Sequence, residues 1–130
     1  MRQVRRLFSI ALCFFLTGCA PVAFLAGAAA GISGYKYYNG TLTVKYQATY
    51  KDTWDASLKA MEEMGFSIKN RKRELTSGTI EAKLADNKPV TVSVKYLSSQ
   101  ETEVTIRVGL FGDKNASNVI KDKIGDVLFK

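Results

Sequence analysis

The chain has 130 residues, one domain's worth. Hydrophobic residues are 46% and charged residues 24%, with 2 Pro, which excludes wholesale disorder. The 19 Lys and Arg outnumber 12 Asp and Glu, a formal +7, and the complete lack of His removes the commonest general base, the usual metal ligand and the physiological pH switch.

The N-terminus divides into three zones. Residues 1–6 carry Arg2, Arg5 and Arg6 and no acid, and residues 7–16 form an apolar run, far below the ~20 residues of a permanent membrane span. Leu16-Thr17-Gly18-Cys19 follows. A basic stretch, a short apolar stretch and small residues before a cleavage point read as a secretory signal over residues 1–18. The order apolar, small, small, Cys resembles the bacterial lipobox. That resemblance implies cleavage between Gly18 and Cys19, a diacylglycerol thioether on Cys19, and an acyl chain such as palmitate on its new amino group. Loss of residues 1–18 removes three arginines and no acids, leaving 16 cations against 12 carboxylates, or +4. Cys13 leaves with the signal and Cys19 is capped, so no disulfide, thiolate metal site or cysteine nucleophile is expected. Two or three acyl chains hold a protein on a membrane where one is marginal. By analogy with enterobacterial sorting, Ala20 rather than Asp after Cys19 points to the outer membrane, facing the periplasm.

Residues 19–39 read as a lipidated start and a tether. Residues 20–34 are uncharged and mostly Ala and Gly, too short and too weakly apolar to span a bilayer. Gly27 and Gly31 form a Gly-x-x-x-Gly pair, so the stretch is either a plain compact tether or a small-residue packing face. Tyr35, Tyr37 and Tyr38 also have two readings: rings resting at headgroup level, or a lead-in that covers the sheet edge. Asn39-Gly40 reads as a turn.

A folded module is expected over residues 40–130. The first strand alternates Leu42, Val44, Tyr46 and Ala48 against Thr41, Thr43, Lys45 and Gln47. A helix follows from Asp52 to Met64, with Trp54, Leu58 and Met61 at helical spacing, Asp52 as its cap and Gly65 in the left-handed position after it. Four more alternating segments succeed it: Phe66, Ile68 and Asn70; Ile80, Ala82 and Leu84; Val90, Val92, Val94 and Tyr96; Val104, Ile106 and Val108. Each opposes a polar set, as an antiparallel sheet with one dry and one wet face requires. A last helix from Asp113 to Phe129 places Val119, Ile120, Ile124, Val127 and Leu128 on one side. The fold class is therefore α+β: an antiparallel four- to five-stranded sheet, two helices on one face, order β-α-β-β-β-β-α.

Four stretches of this chain carry a family resemblance. They are Trp54-Asp55-Ala56 opening a helix, Gly65-Phe66-Ser67-Ile68 closing it, Gly78-Thr79-Ile80-Glu81-Ala82 on a strand, and Arg107-Val108-Gly109-Leu110-Phe111-Gly112-Asp113 before the final helix. The sequence resembles the small bacterial lipoproteins grouped as domain of unknown function 3568, across nearly the whole chain. The resemblance implies the architecture; it brings no activity with it.

Candidate chemistry is sparse. Glu62-Glu63 and Asp122/Asp126 fall on wet helix faces, and Ser67-Lys69 and Ser93-Lys95 are alternate residues of wet strands, so no catalytic set, no metal site and no cofactor are expected. The Gly109–Asp113 turn reads as an N-cap supplied by Asp113, with Phe111 packed beneath it; an anion site on the helix start is the competing reading. Lys69, Arg71, Lys72 and Arg73 form the one charge concentration. They read as a solvated hairpin or as contacts to an anion or protein partner, joined by Lys45, Lys83, Lys95 and Arg107. Nucleic acid is a poor match, since no aromatic pattern accompanies the charges. The expected function is a non-enzymatic envelope interaction module; the alternative is a binding protein for an anionic phospholipid or lipopolysaccharide.

Overall fold

The computed structural model describes residues 31–129. The signal, Gly18, Cys19 and the tether up to residue 30 lie outside the described residues.

The elements run β1 Ile32–Tyr38, β2 Thr41–Tyr46, α1 Tyr50–Glu63, β3 Ser67–Arg73, β4 Ser77–Lys83, β5 Pro89–Ser98, β6 Glu101–Val108 and α2 Lys114–Leu128. They form one antiparallel sheet of order β1-β2-β6-β5-β4-β3. The fold is α+β with the expected succession from β2 onward. The sheet has six strands, not four or five, because residues 32–38 pair with β2 as an edge strand. The folded unit accordingly starts at Gly31.

The alternating residues do what their pattern demands. Leu42, Val44, Ile80, Val92, Val94, Val104 and Ile106 are buried on one side of the sheet, where Trp54, Ala60 and Met61 of α1 and Ile120 and Ile124 of α2 cover them. The two helices also meet each other, tied by a 2.9 Å ion pair between Lys123 and Glu63. Trp54 lies flat against Gly78, where an added Cβ would sit 2.4 Å from the indole ring, so β4 needs glycine there. Tyr46 is buried and donates its hydroxyl to the Lys121 carbonyl at 2.7 Å. Burial, with Asp122 nearby, pushes its phenol far above the ordinary tyrosine value.

Three local expectations are corrected. α1 begins two residues before Asp52: Thr49 is the N-cap, its Oγ1 accepting from the Asp52 N–H at 3.1 Å. Val119 is 56% exposed, and the buried stripe of α2 consists of Ser117, Ile120, Lys121 and Ile124. A bulge between Ile68 and Asn70 shifts β3 by one residue. Asn70 thereby stands opposite Glu81 instead of continuing the dry face. The hairpin after β3 turns at residues 74–76, and β4 starts at Ser77.

Candidate functional site

Both helices pack on one side, so among the described residues the other side of the sheet is open. Its middle row crosses all six strands as Lys36, Thr43, Thr105, Ser93, Thr79 and Lys72, each directly opposite the next. The row beside it runs Gly34, Lys45, Glu103, Lys95 and Ser77, placing one carboxylate between two lysines. Lys83 and Arg107 belong to the same side by alternation. These cations outnumber Glu81, Glu101 and Glu103 on the open strands. Hydroxyls flanked by ammonium groups offer hydrogen bonds in either direction with a net positive field.

The Lys69–Arg73 stretch is the outer edge strand β3, exposed throughout. The structure does not hold its four cations together. Lys72 lies opposite Thr79 on the open side and pairs with Glu74 at 3.6 Å. Arg71 and Arg73 stand opposite Ile80 and Gly78, on the helix side, and the Arg73 guanidinium sits 5.4 Å from the Tyr50 ring centre. Lys69 falls in the bulge. The one-residue shift is the cause, and a bulge leaves no mark in an alternating pattern. A bulge and charged side chains are also how edge strands avoid unwanted pairing.

The junction after β6 is more elaborate than its sequence indicates. The Arg107 guanidinium donates through Nη2 to the Leu110 carbonyl at 2.5 Å, and through Nη1 to the Asn39 carbonyl at 3.3 Å and Thr41 Oγ1 at 3.4 Å. One side chain thus ties the β1–β2 turn to the loop before α2. The backbones touch there: a Cβ on Gly112, whose φ is +84°, would come within 2.3 Å of the Gly40 Cα. Asp113 caps α2 as expected, accepting from the Ala116 N–H at 3.0 Å, and lies 3.8 Å from Lys88. Phe111 is not packed beneath the turn. It is 92% exposed and its neighbour Leu110 78%, because Arg107 and the glycine contact fill the space under the loop. The sequence places Arg107 among the cations of the wet face and at the head of the junction that carries the family resemblance; its spacing before two glycines is the signal for its role in the loop.

At the other end of β2 and β6, Gln47–Thr49, the start of α1, the β5–β6 hairpin and the end of α2 border an open cleft of about 900 Å³. Asp52, Asp55 and Glu101 line it with Lys59, above the apolar wall of Val127 and Leu128. No sequence pattern announced it, since four separate segments contribute. Among the described residues no three His, Cys, Asp or Glu side chains gather as a metal site would require, and no helix is long and apolar enough to cross a membrane.

A family model described as protein of unknown function (DUF3568) matches residues 3–127. No curated protein matches the chain.

Proposed function

The chain belongs to the DUF3568 family of proteins of unknown function, and from that premise we propose that it is a lipid-anchored bacterial envelope protein acting as a non-enzymatic interaction module. The anchor rests on Leu16-Thr17-Gly18-Cys19 after a basic and then an apolar stretch. Acyl chains on Cys19 hold the folded unit at a membrane facing the periplasm, with Ala20 favouring the outer one. The observation that carries the module reading is a sheet face, six strands wide, on which neither helix of the described residues packs, with β1 and β3 at its edges. A flat polar face and free edges suit docking against another protein of the envelope by main-chain and hydroxyl hydrogen bonds.

The test is cross-linking in intact cells on the full-length lipidated protein, followed by mass spectrometry. The expected result is one envelope protein in stoichiometric amount, attached through Lys45 and Lys95, and indifferent to salt. Radiolabelled palmitate is expected to enter the wild type and not Cys19→Ala.

A second reading has its own observation: the positive excess of the open face, continued by Lys72 at the β3 edge. It makes the module a binder of anionic phospholipid or lipopolysaccharide. Recovery of glycolipid alone, lost at high salt and on reversing Lys45, Lys72 and Lys95, replaces the first reading with this one.

A further inference from the structure

The two ends of the molecule complement each other. At one end Leu110 and Phe111 project into solvent from a loop that cannot collapse, since Arg107 holds the Leu110 carbonyl and the Gly112 backbone rests on Gly40. An apolar pair fixed in its exposed position loses little conformational entropy when it docks. Its base has an excess of one positive charge, with Arg107, Lys88 and Lys114 against the carboxylates of Asp113 and Asp86. At the opposite end the cleft has the reverse character. Asp52, Asp55 and Glu101 line it with Lys59, Val127 and Leu128; Lys51, 3.4 Å from Asp55, offsets part of the negative charge. A volume of about 900 Å³ accommodates a phenylalanine and a leucine side chain together.

We propose that the Leu110–Phe111 tip of one copy inserts into the acidic cleft of a second copy, so that the protein associates head to tail. Tip and cleft lie at opposite ends of β6, whose eight residues span about 26 Å, so no copy can fill its own cleft. Each copy presents one tip and one cleft, a heterologous contact that continues from copy to copy until a ring closes or a row forms. Charge sets the direction: two tips or two clefts brought together meet like charge.

The experiment uses the full chain in detergent, as an equal mixture of normal and 15N-labelled protein, with photoreactive benzoylphenylalanine in place of Phe111. That side chain is exposed, so the exchange leaves the core intact. The expected product is a light–heavy dimer whose attachment points fall in residues 47–56, 98–101 or 127–129. In a mixture with the Asp52→Lys/Asp55→Lys variant, the variant accepts at least roughly tenfold less cross-link from a wild-type probe. The same variant carrying its own probe labels wild type undiminished, which shows that it is folded. Attachment to detergent or added phospholipid alone, attachment elsewhere on the second copy, or yields unaffected by charge reversal would each overturn the proposal.

Discussion

Arg107 shows how one side chain can set a local structure that no periodicity encodes. Its planar guanidinium reaches three acceptors on two loops, a geometry that an ammonium cannot reproduce. Arg107→Ala is expected to lower stability by about 1–2 kcal/mol, read by urea denaturation, with Arg107→Lys recovering little of it. Amide exchange at residues 109–113 should accelerate in both. Tyr46 provides a second residue-scale test. The folded state keeps its phenol protonated to higher pH than the unfolded chain, whose tyrosines ionise near ~10. The unfolded state therefore binds fewer protons above that point, and stability falls as pH rises through and beyond ~10. Below ~10 this contribution is fully present. Denaturation midpoints between pH 8 and 11 should decline less steeply in Tyr46→Phe than in wild type, although that variant starts lower for want of the bond to the Lys121 carbonyl.

At the scale of elements, caps and bulges decide boundaries. Thr49 closes the start of α1 through its hydroxyl, whereas Asp52 sits in the first turn and contributes charge to the positive end of the helix. Thr49→Ala should cost about 1 kcal/mol, and Asp52→Ala about 0.5 kcal/mol, with thermal melts of both variants separating the two roles. The spacing of Trp54, Leu58 and Met61 locates the helix in the sequence because burial repeats every turn. It does not distinguish the cap from the acid three residues on, since both residue types suit a helix start. β1 was hidden for a related reason: Tyr35, Lys36, Tyr37 and Tyr38 do not alternate. Its membership depends on the free edge of β2 and on α2, where Lys121 places its ammonium 3.9 Å from the Tyr35 ring centre.

At the scale of the folded unit the dominant feature is asymmetry: one side of the sheet is a dry core and, among the described residues, the other carries no helix. Adjacent residues of β6 should report it. Ile106→Ala removes a fully buried side chain and is expected to cost about 2–5 kcal/mol. Thr105→Ala, one residue away on the open face, should stay within about 0.5 kcal/mol. Denaturant titration of the pair checks the contrast. Equal losses would mean that the open face is covered.

The amino-acid sequence by itself determined the alternation of β2, β4, β5 and β6, the apolar faces of both helices, the glycine after α1 and the Asp113 cap. Each is a local pattern, written in residues that are neighbours along the chain. The tertiary structure alone decided the joining of β1, the scattering of Lys69, Arg71, Lys72 and Arg73, the exposure of Phe111 and the acidic cleft. These depend on contacts that no periodicity marks: β1 on β2 across the Asn39–Gly40 turn, Arg107 on that same turn, and a loop, a hairpin and two helix ends around one hollow. A single inserted residue in β3 turns two arginines toward the helices, because side chains in a strand have a period of two and any shift of one exchanges the faces.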